Sequence, residues 1–248
     1  MAKGFTQREG IDYTETFLPV SKKDSFRIVM ALVAHFDLKL HQMDVKTAFL
    51  NGDLHESVYM AQPEGFVMEG KEQLGCKLKK SIYGLKQASR QWYLMFDEVI
   101  KKSGFIKNVV DNCIYIKIKG SSFIILILYV DDILLASSDK NLLYETKGIL
   151  SSNFDMKDLG DASYVLGIEI LRNKSKGALG PSQKACIEKV VEIYNMDKCS
   201  STAAPVVKGD MFGRFQSPRN QIEIDQMRTI PYASTVGSIM HKCACALT

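Results

Sequence analysis

The feature that most constrains this chain is Asp131-Asp132, two adjacent carboxylates set between the apolar segments Phe123–Val130 and Ile133–Ala136. Both segments are apolar and strand-like, and the first is rich in β-branched residues. Sixteen aspartates spread over 248 positions produce about one Asp-Asp pair by chance, so the setting carries the information and the dipeptide does not. Adjacent carboxylates at the tip of an apolar hairpin repel one another and lose hydration unless a cation neutralises them. An ordinary tight turn there would use Asn-Gly or Asp-Gly. Two readings stand at this point: an exposed acidic turn, or an oxygen-only site suited to Mg²⁺ or Mn²⁺ and not to zinc. A metal site of this kind needs a third carboxylate from elsewhere. Asp44 is the leading candidate, at the end of the short, partly alternating, strand-like segment Leu38–Val45 and just before Lys46-Thr47, although alone such a residue is more often a helix N-cap.

Composition closes off several other classes. With 46% hydrophobic and 24% charged residues the chain is that of a globular protein, neither disordered nor low-complexity. The longest apolar run is eight residues, against the ~20 that a membrane helix requires. Met1–Arg8 lacks the apolar core of a secretory signal. A soluble, intracellular protein with no membrane partner is expected. The six cysteines include no Cys-x-x-Cys pair. His241, Cys243 and Cys245 could hold a metal or simply be reduced thiols on a terminal helix. The net charge of +4 is mild, but its distribution is uneven. Between Cys76 and Trp92 stand Lys77, Lys79, Lys80, Lys86 and Arg90 with no acid, interleaved with Tyr83 and followed by Tyr93. Such a run suits phosphate tracking and base stacking, and it equally suits a solvated helix face.

The hydrophobic periodicity places the elements. Residues 24–37 are expected to be helical, with Ser21 and Asp24 as a capping box. Residues 88–103 form a second helix with Trp92, Met95, Phe96, Val99 and Ile100 on one face and Gly104 as its stop. In 113–119 the isoleucines 114, 116 and 118 alternate with Tyr115, Lys117 and Lys119, as in a half-buried strand. A third helix follows Asp139, a strand covers 164–171, and a fourth helix from Ser182 presents Ile187, Val190, Val191 and Tyr194 to the interior. Residues 200–231 are polar, hold three of the six prolines and suit a linker. Helices and strands are mixed without βαβ alternation, which predicts an α+β fold.

Ordered motifs over nearly the whole chain resemble the reverse transcriptases of copia-type LTR retrotransposons. Residues 42–52, Gln-Met-Asp-Val-Lys-Thr-Ala-Phe-Leu-Asn-Gly, are similar to that family's first catalytic motif, and Tyr129-Val130-Asp131-Asp132 to its catalytic hairpin. Residues 83–93 resemble its template-and-nucleotide segment, with Ser89 where proline is common. Met156–Gly160, Leu166–Ile170, Ser182–Lys184 and Tyr232–Ser238 continue the likeness in order.

The resemblance implies a right-hand polymerase of palm, fingers and partial thumb, with an antiparallel palm sheet packed on helices, that copies RNA or DNA into DNA. It implies that Asp44, Asp131 and Asp132 are catalytic and hold two Mg²⁺ (or Mn²⁺) ions. Phe49 would be the gate that rejects ribose, Lys86 and Gln87 would lie by the incoming dNTP, and Tyr83, Arg90, Leu166 and Gly167 would touch nucleic acid. The expected partners are a primed RNA or DNA template, dNTP and other segments of a Pol polyprotein, in the cytoplasm (as a virus-like particle) or the nucleus. The expected division is a core over 1–199, with shortened fingers, and a linker or connection over 200–248. Departures are Pro181 at a strand position, Cys186 in place of an aromatic, and the residues after Met240. Two other readings are an inactive remnant that retains nucleic-acid binding, and a Mg²⁺-dependent phosphohydrolase, which would leave the gate and the basic-aromatic run without a role.

Overall fold

The computed structural model describes residues 2–165, 168–173, 175, 177–198, 211, 213–228 and 230–246. Leu166, Gly167 and the expected boundary at 199/200 lie outside the described residues. In chain order come α1 (Lys23–His35), β1 (Lys39–Val45), β2 (Tyr59–Ala61), β3 (Gly75–Lys77), α2 (Ala88–Lys102), β4 (Ile106–Lys107), β5 (Ile114–Lys119), β6 (Ser122–Tyr129), β7 (Asp132–Ser137), α3 (Lys140–Asn153), β8 (Met156–Asp161), β9 (Tyr164–Val165), β10 (Ile168–Asn173), β11 (Ala178–Ser182), α4 (Lys184–Ile193), α5 (Gln221–Arg228) and α6 (Tyr232–Ala246). The chain divides into two compact units, residues 1–163 with 172–179, and residues 164–171 with 180–248.

The first unit is built on a six-stranded antiparallel sheet in the order β4-β5-β6-β7-β1-β8. On one face Ile124, Leu126 and Leu128 of β6, Ile133 and Leu135 of β7, and Met43 and Val45 of β1 pack with Trp92, Phe96 and Ile100 of α2 and Leu142, Leu143 and Leu150 of α3. The alternate side chains Leu40, Ile125, Ile127 and Leu134 are buried too. A strand buried on both faces must be apolar at every position, which explains the unbroken runs on either side of the aspartates. Phe154 closes the helix side against Trp92 and Phe96, with ring centroids 5.1 and 5.8 Å away. The second unit holds the β9–β10 pairing, and α4 beside α6, where the Tyr194 and Ser238 hydroxyls meet at 3.2 Å.

The α+β class and the antiparallel sheet follow the sequence reading, α2 begins and ends within a residue of expectation, and α3 begins directly after Asp139 as expected. Asp139 caps α3 by accepting from the Leu142 N–H. Four details differ. The capping box of α1 does not form: Ser21 Oγ donates instead to Asp111 of the loop before β5, whose carboxylate also accepts the Lys22 and Cys113 N–H groups. Burial opposes the Asp111 charge, but these donors prevail and hold its carboxyl below the usual range. In β5 both Ile114 and Tyr115 are buried, Tyr115 on the helix side, while Ile118 is 70% exposed. The physical reason is the sheet edge: β4 covers β5 for two residues only, and Lys117 and Lys119 reach over to Glu145 of α3. Ile187 of α4 is exposed and no α4 side chain is fully buried. Within the stretch expected to be linker, Gln221–Arg228 is helical.

The edge strand β8 is pinned by a buried network that the periodicity does not announce. Lys147 of α3, only 8% exposed, donates to both oxygens of Asp158 (2.7 and 2.8 Å) and to Nδ1 of His41 (2.8 Å). With Nδ1 accepting, His41 carries its proton on Nε2, which faces Asp161 at 3.1 Å. The half-exposed Asp158 can be rehydrated, whereas Lys147 cannot. Asp158→Asn is therefore expected to cost about 1.5–3 kcal/mol in urea unfolding and Lys147→Met less, and the reverse order would refute this account. Burial, then the Lys147 ammonium, hold His41 below its ordinary value of 6.5. The unfolded chain therefore binds a proton that the folded chain refuses, so stability falls as pH drops below about 6.5 and levels once the folded His41 also titrates. Urea midpoints taken from about pH 7.5 to about pH 5 should decline, and His41→Gln should flatten that decline.

Candidate active site

The carboxylates meet at one end of the sheet. In the β1–β7 register Asp44 stands directly opposite Asp132, and in the β6–β7 register Asp132 stands opposite Tyr129. On the other side Asp44 faces the exposed Lys157 of β8. Directly opposed residues of antiparallel strands share a face, so Tyr129, Asp132, Asp44 and Lys157 form one row across four strands. Asp131 occupies the two-residue turn, with Val130, that joins β6 to β7. Val130 has φ of +60°. Asp131 is absent from the positive-φ residues, so the turn is of the II′ kind, whose first position favours glycine. A second β-branched residue, Thr47, has φ of +49° three residues after Asp44. Such conformations cost about 1–3 kcal/mol each and persist only where the surroundings enforce them. Here the Trp92 indole N–H donates to the Val130 carbonyl at 2.6 Å and the Val45 N–H to the Asp131 carbonyl at 2.9 Å.

Electrostatically the corner is uncompensated. Burial, and then the charges of Asp131 and Asp44, push the Asp132 carboxyl above its ordinary range, against the one stabilising contact, the Gln42 amide donating to Oδ1 at 2.9 Å. Among the described residues no ion pair reaches any of the three aspartates, and no three His, Cys, Asp or Glu side chains are gathered closely enough to hold an ion. The donor chemistry nevertheless fits a divalent cation: oxygen-only carboxylates, like-charged, one of them held away from its preferred ionised state.

The other sequence-predicted residues are distributed around the basic-aromatic segment. Phe49, in a 3₁₀ turn over Ala48–Asn51, is half-buried and packs on the Tyr83 ring at 4.5 Å. Lys86 is exposed, lies over the Tyr13 ring at 4.9 Å, and donates to Gln7 and Tyr13 oxygens. Gln87 is fully buried: its amide N–H donates to the Asp12 carbonyl and its oxygen accepts from Gln7. Arg90 pairs with Glu15 and donates to the Phe17 carbonyl. Thus Lys86, Gln87 and Arg90 hold residues 7–17 in place. Leu166 and Gly167 lie outside the described residues. Gln42, Trp92 and Lys157 bear on the corner without having been singled out for it; the two-residue spacing of Gln42 and Asp44, which puts both on one strand face, was the available signal for Gln42.

The chain as a whole is similar to known proteins. The chain belongs to the reverse transcriptase (RNA-dependent DNA polymerase) family, which it matches over residues 1–208. Its relatives are transposon polyproteins. It is 46% identical over 99% of its length to the retrovirus-related Pol polyprotein from transposon TNT 1-94 of Nicotiana tabacum, covering 18% of that protein. It is 36% identical over 97% of its length to the Pol polyprotein from transposon RE1 of Arabidopsis thaliana, covering 16%, and 43% identical over 69% to that from transposon RE2, covering 12%. The chain therefore spans less than a fifth of these relatives. No solved structure matches it.

The raised Asp132 carboxyl has a testable sign. An acid whose folded value exceeds its unfolded one penalises the fold wherever it must ionise, so the penalty is present at neutral pH and absent well below 3.8. Asp132→Asn is expected to unfold at higher urea concentration than the parent at pH 7, with the difference narrowing as the pH falls and gone only well below 3.8. A less stable Asp132→Asn at neutral pH would contradict the uncompensated corner.

Proposed function

We propose that the chain is the polymerase segment of a transposon Pol polyprotein, an RNA-directed DNA polymerase that transfers a nucleotide from dNTP to a primer 3′-hydroxyl at Asp44, Asp131 and Asp132. The observation that carries this reading is the direct opposition of Asp44 and Asp132 with Asp131 in the intervening turn. The six-stranded sheet with α2 and α3 serves as palm, the segments before α2 as fingers and those after β8 as the start of the thumb within a core over 1–199, and 200–248 as the connection. Two Mg²⁺ (or Mn²⁺) ions held by the three aspartates would supply Lewis-acid activation of the hydroxyl and offset the charge of the leaving pyrophosphate. The protein's own part is positional. The strained Val130 turn, clamped by Trp92 and Val45, keeps Asp131 and Asp132 at the end of a rigid sheet, where they cannot separate. Phe49, backed by Tyr83, presents a fixed edge where the sugar of the dNTP lies and excludes a 2′-hydroxyl by bulk. Lys86 supplies a cation for the triphosphate, and Gln87 acts beside it by holding the segment around Gln7 and Asp12. Tyr83 and Arg90 line the template side, and Leu166 and Gly167 grip the primer.

A second reading, an inactive remnant that binds nucleic acid, is favoured by one observation: among the described residues no three acidic, His or Cys groups are gathered to hold an ion. Extension of oligo(dT) on poly(rA) with dTTP and Mg²⁺ separates the two. Asp131→Asn is expected to lower incorporation by about 10²–10³-fold, the scale of losing one electrostatic stabiliser of a transition state, while primer-template binding persists. Equal, negligible incorporation by parent and variant, with both binding primer-template, would establish the remnant instead.

A further inference from the structure

Gln42 is buried (8% exposed) two residues before Asp44 on β1 and faces Leu134 of β7 in register. Its amide therefore reaches Asp132 diagonally, across a spacing that a long side chain spans and a shorter one does not. Two local features aim it there. The β1–β8 register shifts between Gln42 and Met43, a bulge of the kind that re-aims a side chain. The residue opposite Gln42 on β8 is Gly160, which puts no side chain in competition for the amide. The Gln42 N–H then donates to one oxygen of Asp132, Oδ1, at 2.9 Å.

We infer that Gln42 is a positioning residue for the Asp132 carboxylate, a role that rests on the proposed polymerase reading of the same corner: the amide fixes Oδ1 and so turns Oδ2 toward a bound divalent cation. The choice of group is informative. A lysine or arginine at this position would orient Asp132 equally well, but it would cancel the charge on which cation binding depends. A neutral donor orients without neutralising. Asp44 and the group that orients its opposite number thus travel on one strand face, so a single strand delivers a ligand and its partner's restraint.

The test uses the full chain and Mn²⁺ itself as probe, titrated by electron paramagnetic resonance, with primer extension as a second readout. Gln42→Met removes the donor at nearly constant volume and is expected to weaken Mn²⁺ binding about 10–100-fold, the usual loss when a ligand's hydrogen-bond partner is removed. The half-saturating Mg²⁺ concentration in extension should rise in proportion, while primer-template affinity changes little. In an Asp132→Asn background the same substitution should have no further effect on Mn²⁺ binding, because the carboxylate it restrains is gone. Gln42→Asn, which retains the amide one methylene short, provides the same comparison should Gln42→Met fail to fold. If the parent binds Mn²⁺ and Asp132→Asn weakens that binding, but Gln42→Met and Gln42→Asn leave it unchanged, the positioning role is overturned and the polymerase reading stands. If the parent binds no Mn²⁺, both fall together.

Discussion

The pairing of β1 with β7 is the constraint on which the rest of this molecule depends. Antiparallel register has a period of two, so a slip of one residue would turn Met43 and Val45 out of the core and Asp44 into it. The register that buries Met43 and Val45 against Trp92 and Leu135 is therefore the same register that sets Asp44 opposite Asp132. Hydrophobic burial along the strands, a large and non-directional term, is converted by the pleat into the placement of two carboxylates.

That placement works against stability locally. Three like charges share one corner, one carboxyl is held above its ordinary range, and Val130 and Thr47 occupy conformations that β-branched residues avoid. The surrounding structure over-determines each of these: the indole of a fully buried tryptophan holds the Val130 carbonyl, and an amide of the neighbouring strand holds the Asp131 carbonyl. Elsewhere buried charge is matched by its counterpart, as at Lys147 with Asp158 and at Asp97, which accepts from Tyr115 and pairs with Lys101 and Lys107. Against these matched pairs, the acidic sheet end concentrates like charge where a ligand can relieve it.

Much of this was legible in the residues. The unbroken apolar runs on either side of Asp131-Asp132 announced the strands of an apolar hairpin, and the apolar stripe of residues 88–103 announced α2 with its core face. Misreadings share a cause. Ser21 and Asp24 have the spacing of a capping box, yet a distant carboxylate, Asp111, outbids the local one. The isoleucines of β5 alternate correctly and Ile114 is buried, yet the pattern lapses toward the exposed Ile118, and Tyr115 of the other face finds Asp97 and the helix-side core. Residues 156–161, recognised only as a motif, form an edge strand because Lys147 fastens Asp158 from another helix. In the basic run between 77 and 90 the lysines at 77, 79, 80 and 86 are exposed as an open cationic surface requires, while Arg90 pairs with Glu15 and Gln87 with residues 7 and 12, partners that the sequence does not announce.

Sequence by itself determined the class of fold, the family, and which three carboxylates have no apolar rationale, because periodicity, composition and ordered motifs are properties of the chain taken a few residues at a time. Only the tertiary structure decided that Asp44 faces Asp132, that Gln42 and Trp92 are what hold the acidic corner in shape, and that Lys147 anchors the last strand. Those facts join residues up to about a hundred positions apart, and which of many chemically acceptable partners a side chain meets is settled by the packing of the whole core, not by anything in its own neighbourhood of the chain.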